Sequence, residues 1–229
     1  MNKKLELPEM LTLNFDTPSA FEKLLAFSIG EQKSKESVGR LLNRYGSLAT
    51  IFSESEEEIC RVGGVNMNTA LLIKLIAYVN ARKVTEKFEY GKIHTELELR
   101  EFIGALFLGS SVESVYVILL DKDGRTIATE HISDGTVNTS DVTPRKILEF
   151  ARKRKATQVI IAHNHPKGTP TPSKDDIMTT GRLFNLFSGV GITLRSHYVV
   201  ADGVVGRIES DNLYNPDYLD RSSYEFLNS

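Results

Sequence analysis

Apolar positions recur at helical spacing from about Thr17 to Lys83. The run opens with Asp16-Thr17-Pro18, where Asp16 or Thr17 can cap and Pro18 suits the first helical position. Phe21, Leu24, Leu25 and Ile29 form one stripe; Val38, Leu41 and Leu42 form a second that ends near Gly46, a residue able to take positive φ. Ser55-Glu56-Glu57-Glu58 opens a short helix, and beyond Val62-Gly63-Gly64-Val65-Asn66 a longer helix reaches Val79, so this stretch reads as helix, tight turn, helix. Residues 83–95 lose the stripe and read as a linker.

Past that linker the period changes. A helix capped by Thr95 precedes a continuous apolar strand over 115–120, a turn at Asp121-Lys122-Asp123-Gly124 and a second strand to about Ser133, which together predict a β-hairpin. Thr143-Pro144 opens a helix to about Lys155, residues 157–162 form a short buried strand, and Ser173 opens a helix reaching Phe187. Strands follow over 192–200 and near Val204. Strands and helices mixed in this order predict an α/β sandwich with a mixed sheet rather than a uniform βαβ repeat. The expected organisation is an all-helical domain over 1–90, an α/β domain over 91–210, and an aperiodic tail over 211–229.

Composition narrows the class. Hydrophobic residues make up 41% and charged residues 25% of the 229, which excludes disorder and collagen-like repetition. The net charge of −2 supplies no global field toward nucleic acid. Cys60 is the single cysteine, so no internal disulfide is expected, and a reducing cytoplasmic setting fits. No apolar run reaches signal-peptide or membrane-span length.

Candidate chemistry concentrates in His163-Asn164-His165-Pro166-Lys167-Gly168-Thr169-Pro170-Thr171-Pro172-Ser173-Lys174-Asp175-Asp176, which follows directly on the buried strand. In extended chain, residues i and i+2 share a face, so His163 and His165 can present two imidazole nitrogens to one zinc ion. The prolines and Gly168 make a stiff loop that returns the chain to a helix start, where Asp176 can supply an oxygen ligand. Three protein ligands leave a fourth position for water, as in catalytic zinc sites, where the pKa of water drops toward about 7.

His-x-His, seven residues, Ser, two residues and Asp is similar to the JAMM (MPN+) motif. His163-Asn164-His165-Pro166 with Pro172-Ser173 resembles its RadC-like branch. The resemblance implies a zinc metallohydrolase on a JAMM, cytidine-deaminase-like sandwich, acting on a carbonyl of a peptide or protein substrate. It implies an upstream Glu as acid/base; Glu130, five residues before Gly135-Thr136, holds the matching position. By the same resemblance Ser173 hydrogen-bonds the developing oxyanion, while Glu130 carries a proton from the attacking water to the leaving group.

The chain departs from the family pattern at Ser196-His197, where the family has Asp-His, and at Pro144-Arg145-Lys146, where it has Pro-Arg-Glu. The amino-terminal hairpin resembles a helix-hairpin-helix, which makes a DNA-associated repair or recombination protein the competing reading. Asn66 stands where the second Gly is usual, and residues 1–90 balance 12 Lys+Arg against 12 Asp+Glu. Simpler alternatives stay open: strand-end histidines satisfied by the core, a plain capping box at Ser173 and Asp176, or a zinc site that is structural only. His94 and His131 are not expected to be ligands, and Asp175, one helical step from Asp176, faces elsewhere.

Overall fold

The computed structural model describes residues 17–88, 91–134 and 144–208. The cap expected at Asp16, the Gly135-Thr136 context, Thr143 and the tail over 211–229 lie outside them. The chain divides into two compact units, Met1–Val79 and Asn80–Ser229.

The first unit is helical: α1 (Pro18–Ile29), α2 (Glu31–Tyr45), α3 (Leu48–Ser53), α4 (Glu56–Gly63) and the first part of α5 (Met67–Phe88). Each start has a local cause. Thr17 Oγ1 accepts from the Ala20 amide, Ser47 Oγ from Thr50, Ser55 Oγ from Glu58, and Asn66 Oδ1 from Thr69. Gly30, Gly46 and Gly64 end α1, α2 and α4 at positive φ. Phe21, Leu25, Leu41, Ile51, Ile59 and Ile73 form the buried core, and Phe21 meets Phe52 edge to face at 5.6 Å.

Two elements differ from expectation. Helix α3 is too short to show a stripe, although Leu48, Ile51 and Phe52 bury one face of it. Helix α5 continues to Phe88 through residues expected to be linker, because Val84 and Phe88 join the apolar cluster around Phe102 and Ile103. The polar residues between Asn80 and Lys83 interrupt the pattern in sequence without interrupting the helix.

The second unit holds α6 (Glu96–Leu106), β1 (Ser114–Leu120), β2 (Thr126–Asp134), α7 (Pro144–Lys153), β3 (Gln158–Asn164), α8 (Lys174–Gly189), β4 (Thr193–Ala201) and β5 (Val204–Arg207). The strands form one mixed sheet in the order β2-β1-β3-β4-β5, with β3 and β4 parallel and the other neighbours antiparallel. Val115, Val117, Leu119, Val159 and Ile161 face Ile147 of α7 and Leu183 and Phe187 of α8. Ile118, Leu120, Ile160, Ala162 and Tyr198 face Leu99, Phe102 and Ile103 of α6. Burial on both sides explains why β1 reads as an unbroken apolar run instead of an alternating one. Among the described residues no single helix is long and apolar enough to cross a membrane.

An ionic cluster braces the helical unit. Arg61 donates to both oxygens of Glu58, and Tyr45 Oη donates to Glu58 Oε1 at 2.9 Å. Hydrogen bonding from Arg61, then from Tyr45, holds the Glu58 carboxyl down at about 2, while burial and then the bond to Glu58 push Tyr45 up to about 12. Glu58 therefore contributes stability that is fully present above its ordinary value of 4.5 and is lost as pH falls through about 2. Thermal unfolding by circular dichroism is expected to show a shallower loss of stability between pH 4.5 and 2 for Glu58→Gln than for the wild type; parallel pH profiles would contradict the pairing.

Candidate metal centre

The centre sits where central strand β3 ends beneath the first turn of α8. His163 is paired with Val115 on one side and Val199 on the other, so its side chain shares the face covered by α8. His165 lies just past the strand, its amide donating to Val200 O at 2.8 Å and its Nδ1 3.0 Å from Thr169 O. The carbonyl can only accept, so Nδ1 carries the proton and Nε2 is left with its lone pair. The loop that supplies Thr169 lies close against β5: a Cβ at Gly206 would stand 2.3 Å from Pro170 O. No side chain fits there.

Asp176 is the third residue of α8 and closes a capping box with Ser173. Ser173 N and Oγ donate to Asp176 Oδ2 at 2.7 and 2.6 Å, and the Asp176 amide donates back to Ser173 Oγ at 3.1 Å. The box leaves Asp176 Oδ1 to approach His163 Nε2 at 3.3 Å. His163 Nε2 and His165 Nε2 are 3.1 Å apart, and His165 Nε2 is 3.6 Å from Asp176 Oδ2. Ligands about 2.0–2.1 Å from a tetrahedral zinc stand roughly 3.3 Å apart, which the His163–His165 and His163–Asp176 Oδ1 separations already approach, and one ligand atom from each of the three side chains lies within 4.8 Å of the other two. Buried His163 and Asp176 with half-buried His165 can hold a metal ion, and among the described residues no fourth His, Cys, Asp or Glu joins them.

The electrostatics suit a cation. Burial works to raise the Asp176 carboxyl, but the neighbouring His163 ring and the bonds from Ser173 outweigh it and hold the group well below the usual range. Behind His163, His197 Nε2 lies 2.8 Å from His163 Nδ1, and His197 Nδ1 lies 2.6 Å from Thr180 Oγ1. Complete burial, then the neighbouring His163, drives the His197 imidazole well below its ordinary value and keeps it neutral.

His163, His165, Asp176 and Ser173 meet at this point. Glu130 does not touch them in the structure. It is exposed on edge strand β2, opposite Val117, and therefore on the same side of the sheet as Ile161 and His163. The Ser173 hydroxyl donates its hydrogen bond to Asp176 Oδ2. Asp175 is exposed, and the His131 ring rests on Tyr116 at 5.0 Å. Sequence reasoning overlooked Thr180 and left the place of His197 open. A signal existed for Thr180: Asp176, Thr180, Leu183 and Phe187 share the buried stripe of α8, so two polar residues occupy core positions.

His197 reaches this face through a β-bulge. Val159 pairs with Leu194 and Ile160 with Ser196, which inserts Arg195 as an extra residue. The insertion turns both Leu194 and His197 toward α8, although they are an odd number of residues apart.

Residues 93–210 match the RadC-like JAB domain, which identifies the second unit as a JAMM-family fold built around the His-His-Asp cluster. Relatives extend over most of the chain. A UPF0758 protein of Vibrio cholerae is 31% identical over 72% of this chain and 74% of its own length. One from Vibrio parahaemolyticus is 30% identical over 71% and 73%, and one from Shewanella frigidimarina is 27% identical over 78% and 80%. The chain belongs to the RadC family.

Two glycine substitutions separate the loop contact from backbone freedom. Gly206→Ala must displace the Pro170 carbonyl or β5, and is expected to cost on the order of 1–3 kcal/mol in chemical denaturation and to weaken metal uptake. Gly181→Ala, inside α8 with nothing within 4 Å of the added carbon, is expected to gain about 0.5–1 kcal/mol and leave uptake unchanged. Equal effects from the two would contradict this packing.

Proposed function

We propose that the chain is a zinc-dependent hydrolase that cleaves a peptide or isopeptide bond. The supporting observation is the convergence of three ligand atoms, one from a buried carboxylate and two from imidazoles, with no fourth protein ligand among the described residues. A structural zinc site would be closed by a fourth side chain. His165, 19% exposed, puts the cluster within reach of solvent, as a substrate requires. When bound, the ion supplies a Lewis acid that polarises a carbonyl and lowers the pKa of water toward neutrality.

The protein's own residues then divide the work. His163 and His165 offer their Nε2 atoms, and Asp176 offers the charge that the buried position would otherwise disfavour. Glu130, on the same side of the sheet, takes the proton from the attacking water and delivers it to the leaving amine. Ser173, once it turns from Asp176 Oδ2, donates to the oxygen that develops charge.

The DNA-binding reading draws less support. The Asn66 side chain takes the Thr69 amide that a phosphate would need at the start of α5, and Glu56, Glu57 and Glu58 occupy the first turn of α4.

The test is hydrolysis of a panel of peptide and isopeptide substrates by the zinc-loaded protein. Glu130→Gln is expected to keep its zinc and lose about 10²–10⁴-fold in rate. Full activity in Glu130→Gln would remove the acid/base role, and an inactive wild type carrying zinc would remove the peptidase assignment.

A further inference from the structure

His163 has two nitrogens, and only one can face the ion. The group behind the ring decides which, and the bonds behind His163 have a single consistent direction. Thr180 Oγ1 lies 2.5 Å from the backbone carbonyl of Asp176. The carbonyl cannot donate, so the one hydroxyl proton of Thr180 is spent there. The same oxygen lies 2.6 Å from His197 Nδ1 and can only accept, which places a proton on His197 Nδ1. His197 is 1% exposed and has no carboxylate among its hydrogen-bond partners, so it is neutral and its Nε2 is a bare acceptor. His163 Nδ1, 2.8 Å away, must then be the donor, and His163 Nε2 keeps its lone pair on the side of Asp176 and His165.

We propose that Thr180 and His197 are positioning residues that fix the tautomer and ring orientation of His163 for metal binding. The inference rests on the metal reading of the site but assigns residues outside the ligand set. Three elements build the device. Helix α8 supplies Thr180 one turn beyond Asp176, the bulge at Arg195 turns His197 inward, and β3 holds His163 between them. The relay also starts and ends on the ligand set, running from the Asp176 backbone through Thr180 and His197 to His163. A shift of α8 is thereby felt by both ligands together.

The Ser196 departure does not disturb this arrangement, because Ser196 Oγ bonds to Arg195 O and lies outside the relay. Ile208 N donates to His197 O at 2.8 Å, which pins the backbone of the positioning histidine to the residue after β5.

The experiment is a zinc-affinity measurement by chelator competition on the full chain, with circular dichroism to verify folding. Thr180→Val keeps the shape and removes the acceptor for His197; His197→Phe removes the acceptor for His163. Both are expected to weaken zinc binding by about 10–100-fold, as loss of a group behind a ligating histidine does. Thr180→Ser retains the hydroxyl and is expected to bind near wild-type strength. Wild-type affinity in Thr180→Val, or equal weakening in Thr180→Ser, would overturn the assignment.

Nitrogen-15 NMR of the metal-free protein reads the relay without any ion and so separates this inference from the metal reading. Expected are a proton on His163 Nδ1 and none on His197 Nε2. A bare His163 Nδ1 would overturn the relay even in a protein that binds zinc. A wild type without zinc affinity would overturn the metal reading, and the NMR result alone would then decide the relay.

Discussion

The second unit is organised around an ionised carboxylate held out of water next to two imidazoles. Asp176 is 5% exposed and His163 fully buried, and placing a charge there is costly unless partners surround it. Ser173 satisfies one carboxylate oxygen through a capping box, and the other is directed at His163. Two imidazole nitrogens 3.1 Å apart with their partner atoms fixed behind them satisfy each other poorly. A cation at their common focus resolves the conflict for all three.

The rest of the unit can be understood as what that focus requires. Burial of both sheet faces fixes β3 between β1 and β4, and a one-residue slip would turn His163, Ile161 and Val159 from the α8 side of the sheet to the α6 side. Gly206 lets the loop over 166–172 approach β5, and Thr169 O then orients His165. The bulge in β4 brings in His197 at the point where regular pairing would have presented Ser196 to α8. Helix α8 combines two duties along one stripe, with Asp176 and Thr180 at the site end and Leu183 and Phe187 in the core.

Much of this was legible in the sequence because it depends on local chemistry. The caps at Thr17, Ser55, Thr95 and Ser173 appear where the residue types predicted, and the change of period after the helical region marked the mixed sheet. The spacing of His163, His165 and Asp176 was readable because a strand end, a stiff loop and a helix start leave few ways to arrange them. What escaped was non-local. The extension of α5 to Phe88 depends on packing against Phe102, and the place of His197 depends on a bulge that composition does not announce. Ser173 shows the limit from the other side: its capping-box bond and its proposed catalytic duty use the same hydroxyl, and residue type alone does not separate them.

The most direct measurement is metal content by elemental mass spectrometry on protein purified without added metal, for wild type, Asp176→Ala and His163→Ala. Expected is about one zinc per chain in the wild type and loss of it in both variants. A wild type that carries no metal and fails to take up added zinc would contradict the centre and the hydrolase built on it.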